Sequence, residues 1–209
     1  PPSATVFGQA VALTATVGIN LPSIGQPTGT VRFMKGSTLL GSAELDANRV
    51  ARITSNGLAT GSNLLTAVYV GDDNVAGSTS PAGAHTVNKS QSEISIVSAP
   101  SPSVTNENVT FTFRATAKLP GAGTPTGTVT MTVAGTTLTA TLSGGQATFN
   151  KSNLAIATHV VTGTYSGDAN FLASTPTIYT HAVKCLGTVT NAYDTGAGSL
   201  RNTFTTVCP

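Results

Sequence analysis

The chain says nearly the same thing twice. Pro27-Thr28-Gly29-Thr30-Val31 returns as Pro125-Thr126-Gly127-Thr128-Val129, and Tyr69-Val70-Gly71-Asp72-Asp73-Asn74 returns as Tyr165-Ser166-Gly167-Asp168-Ala169-Asn170. The shifts are 125 − 27 = 98 and 165 − 69 = 96, and the two landmarks keep their order. Such self-similarity defines a tandem repeat of one small domain. Repeats extend a chain's length and reach; they do not by themselves build a reaction centre. The boundaries read as residues 1–89, 90–184 and a different tail, 185–209. Each repeat is long enough to bury a core without metals or many disulfides.

Alternation with a period of two runs through both copies. Val11, Leu13, Ala15 and Val17 alternate with Ala12, Thr14 and Thr16; Val109, Phe111, Phe113 and Ala115 alternate with Thr110, Thr112, Arg114 and Thr116. This is the pattern of a half-buried strand. After each Pro-Thr-Gly turn come Val31 and Phe33, or Val129, Met131 and Val133. Leu65, Ala67 and Tyr69 form another strand, echoed by Val161, Gly163 and Tyr165. A last strand is expected from Ser78 to Val87 and from Ser174 to Val183. Short strands separated by Gly, Pro and Asn turns predict an all-β fold of two immunoglobulin-like sandwiches, about seven strands each. The Cys–Trp–Cys core of antibody domains is absent. Phe33, Tyr69, Phe111, Phe113 and Tyr165 are the expected core anchors.

Charge excludes some functions. Only 9% of residues are charged, against roughly 25% in ordinary domains, yet 39% are hydrophobic and patterned, which separates the chain from disordered sequences. The net charge of +2 comes from ten scattered basic residues, and there is no Trp. Nucleic-acid binding needs clustered cations and stacking aromatics, so no nucleic-acid partner is expected. No apolar run reaches the eighteen residues of a membrane span. The start at Pro1-Pro2-Ser3 suggests a mature or excised fragment.

The combined pattern resembles the bacterial Ig-like repeats of large surface and secreted proteins. The residues that carry it are Pro27 to Phe33, Gly36 to Gly41, Tyr69 to Asn74 and Ser78-Thr79, then Pro125 to Met131, Gly135 to Leu138, Tyr165 to Asn170 and Ser174-Thr175. Met131 replaces the Phe of the first copy, and Thr139 replaces the Gly of its Leu-Gly step. The resemblance implies an extracellular, repetitive, non-catalytic protein. The tail differs: Gly187-Thr188-Val189-Thr190-Asn191 followed by Asp194 to Arg201 resembles the opening of right-handed β-helix modules of bacterial surface proteins. It reads as the cut end of a longer polypeptide.

Chemistry-bearing residues are sparse. Gly71-Asp72-Asp73-Asn74 offers oxygens to calcium, but Gly, Asp and Asn also make such turns unaided, and Ala169 removes one acid from the second copy. His85, His159 and His181 lack zinc-ligand spacing and are expected on strand surfaces. The acids are scattered and do not suggest a glycosidase pair, and no Gly-x-Ser-x-Gly elbow occurs. Lys35, Lys118 and Lys151 sit near turns, which argues against internal isopeptide bonds. Asn88, Asn108 and Asn150 open N-glycosylation patterns that so Thr- and Ser-rich a chain produces by chance. No catalytic residue, metal or cofactor is expected. Cys185 and Cys208 are either free thiols or a disulfide, and a secreted β protein favours the disulfide; its loop of about 22 residues would contribute roughly 3 kcal/mol.

The expected role is architectural, a stalk or fibre segment outside a bacterial cell. The rivals are a glycan- or protein-binding adhesin module and an accessory domain of a polysaccharide-active enzyme. The second repeat opens with Glu93-Ile94-Ser95-Ile96-Val97-Ser98, whereas Pro1-Pro2-Ser3 aligns with the stretch after that strand. The first domain is therefore expected to lack its opening strand and to expose a sheet edge, which recruits strands. Leu186-Gly187-Thr188-Val189-Thr190 is the candidate donor strand; the alternative is a proteolytic boundary that happens to fall there, with the tail folded on its own domain. Partners are then other copies of the chain, joined head to tail, or cell-surface components.

Overall fold

The structure, a computed structural model, describes residues 4–20 and 25–185. Sixteen strands and no helix are found among these residues. The chain divides into two compact units. The first comprises residues 1–91 with the short stretches 117–123 and 169–172, and the second takes the rest.

In the first unit the strands are β1 (Ala4–Val6), β2 (Val11–Thr16), β3 (Thr30–Lys35), β4 (Thr38–Glu44), β5 (Val50–Ser55), β6 (Gly61–Gly71), β7 (Ala76–Thr79) and β8 (Gly83–Asn88). One sheet runs β1-β8-β6-β3-β4, with β7 also on β6; the other contains β2 and β5. In the second unit the strands are β9 (Ser92–Ala99), β10 (Ser103–Val104), β11 (Val109–Ala117), β12 (Thr128–Val133), β13 (Thr136–Thr141), β14 (Gln146–Lys151), β15 (Ala157–Tyr165) and β16 (Thr177–Lys184). Its sheets run β10-β16-β15-β12-β13 and β14-β11-β9. Each unit is thus an Ig-like sandwich.

Two local breaks raise the strand number above the expected seven. Pro81 interrupts the expected strand from Ser78 to Val87, leaving β7 and β8 as separate pieces on the same side of β6. A proline has no N–H for the ladder, and Ser80 turns its hydroxyl to accept from the Ala67 N–H at 3.0 Å instead. In the second unit the corresponding strand begins at Thr177, after Pro176, not at Ser174. Likewise Pro100 and Pro102 break the opening strand into β9 in one sheet and β10 in the other. The short pieces β1 and β10 pair parallel with β8 and β16.

The cores follow the alternation. Val11 and Leu13 are buried while Ala12 and Thr14 face out; Val109, Phe111 and Phe113 are buried along β11. Phe113 meets Phe149 edge to face, centroids 5.1 Å apart. Burying each such side chain contributes about 1.5–3 kcal/mol. Thr130 faces Thr139 at 3.3 Å, and Thr132 faces Thr137 at 3.0 Å, on the outer side of β12 and β13. The outward hydroxyls therefore satisfy one another across the strands.

Candidate functional site

The two repeated landmarks meet in space. In the first unit Asp72 Oδ2 accepts from the Thr28 N–H at 2.7 Å and from the Thr28 hydroxyl at 2.8 Å. Its Oδ1 accepts from the N–H groups of Asn74 and Val75 at 2.8 and 2.7 Å. These donors, the Thr28 N–H first, hold the carboxyl far below the usual carboxylate range. In the second unit Asp168 Oδ2 accepts from the Thr126 N–H and hydroxyl, each at 2.7 Å. Asp72 therefore closes its own turn and clamps the entry to β3, with its oxygens committed to the chain. Among the described residues no three His, Cys, Asp or Glu side chains gather to hold a metal ion.

The core anchors lie beside these clamps. Phe33, Tyr69, Phe111, Phe113 and Tyr165 are all buried. The Tyr69 hydroxyl donates to the Thr28 carbonyl at 2.7 Å. The buried Tyr165 hydroxyl makes no hydrogen bond; burial, then the nearby Asp168 carboxylate, pushes its pKa up. Cys185 is disulfide-bonded. Cys208, Leu186, Gly187, Thr188, Val189 and Thr190 lie outside the described residues.

Two histidines expected on the surface are buried instead. His85 is 2% exposed and His181 is fully buried. The His181 Nε2 lies 2.8 Å from the Ser103 hydroxyl, and its Nδ1 lies 2.9 Å from the Ser98 hydroxyl. Burial, then the His159 charge, lowers the His181 pKa, so the ring is neutral at pH 7. His85 Nε2 lies 2.9 Å from the Thr5 hydroxyl. Buried polar groups need such partners, and here they come from 78 to 83 residues away. One sequence signal could have found them: 181 − 85 = 96 matches the tyrosine landmark, and 103 − 5 = 98 matches the Pro-Thr-Gly one.

The units differ at one strand. In the second, β9 pairs with β11 and covers its edge. Ile94 and Ile96 point inward from β9 and are buried, and Ser98 joins the Tyr179 hydroxyl at 2.8 Å and His181. In the first unit β2, the counterpart of β11, pairs with β5 alone among the described residues. Beside it lie two hollows. One, of about 340 Å³, is lined by Leu13, Phe33, Gly83 and His85 among others. The second, of about 250 Å³, is lined by Ala15, Val31 and Tyr69. Both include Thr14 and Ala67, so they form one trough along β2.

Smaller residues deepen this trough. By the repeat offsets, Ala15 stands where the second unit has Phe113, and Gly83 where it has Tyr179. An added Cβ at Gly163, the counterpart of Ala67, would lie 2.4 Å from Phe113 and 2.8 Å from Ile96. The second unit is therefore filled at the point where the first is open.

A profile of the family described as "Bacterial Ig-like domain (group 3)" matches the chain twice, over residues 1–88 and 96–184. No curated protein matches. Among solved structures, the fibronectin(III)-like modules of Clostridium thermocellum CbhA align with 23% identity over 88% of this chain and 90% of that one, with a TM-score of 0.35. The D0-D1 domain of Intimin aligns with 17% identity over 84% and 93%, with a TM-score of 0.29. Neither likeness is close enough to carry function across. Among the described residues no helix is long and apolar enough to cross a membrane.

Proposed function

This chain belongs to the bacterial Ig-like domain family, and from that membership we propose that it is a non-catalytic structural segment of an extracellular or surface protein whose copies join head to tail by strand addition. The observation that carries the structural reading is the tandem of two Ig-like sandwiches, each matching the family profile; the side of β2 that pairs with no strand among the described residues is where strand addition would occur. A strand edge with free N–H and C=O groups binds an extended segment through main-chain hydrogen bonds. The donor is the tail segment Leu186 to Thr190 of a second copy. Open edge and donor are different surfaces of the chain, and a heterologous contact between them builds an open chain of copies when its rotation does not close on itself.

Deleting Leu186 to Pro209 tests the assembly. Electron microscopy and light scattering of the purified chain are expected to show fibres at high concentration, and the truncated chain soluble single units. Fibres from the truncated chain, or an intact chain that stays monomeric, would overturn head-to-tail assembly. Turnover of any polysaccharide by the purified chain would overturn the non-catalytic reading.

A further inference from the structure

Asn56-Gly57 is the only Asn-Gly pair in the chain. It lies in the loop between β5 and β6, and both residues are exposed. We propose that Asn56 is a self-modification site that loosens the first unit with age: the Gly57 backbone nitrogen closes on the Asn56 side-chain amide, and the loop passes through a succinimide ring to isoaspartate and aspartate. The inference does not depend on how copies of the chain join.

The reaction needs only water. The Gly57 nitrogen gives its proton to water and bonds to Asn56 Cγ; the Cγ–Nδ2 bond breaks, and the amide nitrogen leaves as ammonia. Water then opens the ring. Attack at Cγ gives aspartate. Attack at the backbone carbonyl gives isoaspartate, in which the chain runs through the side-chain carbon. Nothing is oxidised or reduced. Closure needs a following residue whose backbone can turn and whose N–H is not tied down. Glycine has the conformational freedom. Among the described residues the Gly57 N–H reaches only the Ser55 hydroxyl, at 3.4 Å, longer than an ordinary amide hydrogen bond. Asn48, Asn63, Asn74 and Asn150 are held instead. The N–H after Asn74 donates to Asp72 Oδ1 at 2.7 Å, and the one after Asn48 donates to the Asp46 carbonyl at 2.8 Å. The buried Asn63 amide donates to the Ala59 and Gly61 carbonyls at 2.9 and 3.1 Å. Asn150 sits in β14 and accepts from the Thr110 hydroxyl at 2.8 Å.

The loop is pinned on both sides of the reactive pair. Ser55 ends β5 opposite Val11, and Leu58 is buried in the core of the first unit. Asn63 fixes the Ala59 carbonyl just beyond. Isoaspartate lengthens the backbone by one carbon between these points, which pushes Leu58 from its seat. By the repeat offset of the tyrosine landmark, Ser152-Asn153-Leu154 stand where the first unit has Asn56-Gly57-Leu58. Leu154 is buried like Leu58, but no glycine follows Asn153. Ageing therefore loosens the first unit and spares the second at this loop.

The test incubates the full chain at mildly alkaline pH in heavy-oxygen water, digests it with trypsin and sequences the peptide 53–89 by mass spectrometry. The expected result is one heavy oxygen at position 56, isoaspartate in excess of aspartate, and a rate within a few-fold of that of the free peptide 53–60. Gly57→Ala should slow the reaction many-fold. Its added Cβ would meet nothing nearer than the Ser55 hydroxyl at 4.0 Å, so the loop keeps its fold. The purified isoaspartate form should melt several degrees lower in the first unit. Asn56→Asp, which brings the charge without the extra carbon, should melt like the unmodified chain. Aspartate without isoaspartate, a folded chain far slower than the peptide, or earlier conversion at another asparagine would overturn the proposal. So would a Gly57→Ala chain that reacts as fast, or an isoaspartate form with an unchanged melt.

Discussion

Asp72 and Thr28 are tied by two hydrogen bonds to a single carboxylate oxygen, at 2.7 and 2.8 Å, across 44 residues of chain. The pair joins the turn after β6 to the turn before β3. Because its donors favour the charged carboxylate, the folded pKa lies below the unfolded value of about 3.9. Its stabilisation is complete above that value and lost as pH falls below it.

Asp72→Asn should therefore lower the melting temperature of the first unit by several degrees at pH 7 and flatten its acid limb below about pH 4. Calorimetry from pH 7 to pH 2 measures both. An unchanged acid limb would show that the clamp contributes nothing to pH dependence.

The two landmark tyrosines are expected to respond oppositely to loss of the hydroxyl. Tyr69→Phe removes a bond to the Thr28 carbonyl and should lower the melting temperature of the first unit by a few degrees. Tyr165→Phe removes a buried hydroxyl that has no partner and should leave the second unit unchanged or more stable. Equal losses in both variants would contradict this.

Gly163→Ala should destabilise the second unit by about 1–3 kcal/mol, the usual cost of overpacking. The new methyl would press on Phe113 and Ile96. Combined with Phe113→Ala, which makes the room that Ala15 makes in the first unit, the total loss should fall short of the sum of the two single losses. Denaturant melts of the single and double variants check this; a double variant whose losses simply add would count against the crowding account.

His181 predicts a second pH effect near neutrality. Burial and His159 hold its folded pKa below the unfolded value of about 6.5. Its contribution is then present above about pH 6.5 and lost as pH falls through that value toward the folded pKa. The second unit should melt at lower temperature at pH 5 than at pH 7.5, and His181→Gln should shrink that difference. Equal slopes in the two proteins would locate the effect elsewhere.

What the sequence made legible was local or repeated. Alternation exposed β2, β6, β11 and β15 because inward and outward residues differ by polarity at every step. The repeat offset gave the tandem architecture, and the prolines marked where strands end. The burial of His85 and His181 is not legible, because a single polar residue within a strand looks solvent-facing unless its partner is known. Thr5 and Ser103 sit in other strands, and their bonds are set by how the sheets stack. The clamp was half visible: both turns were recognised, but not that one acid serves both. The depth of the trough depends on Ala15 and Gly83, which read as ordinary small strand residues until the filled second unit stands beside them.

The hydroxyl pairs across β12 and β13 have a consequence for the medium the protein can inhabit. Its exterior is rich in threonine and only 9% of its residues are charged; Arg52 and Asp46, 2.8 Å apart, form an exposed ion pair. Dissolved salt acts on proteins chiefly by screening charges, and here it finds little to screen. A segment dressed in this way should keep its fold across wide swings of salinity, from fresh water to brine, where a more highly charged surface would lose or gain stability with each change.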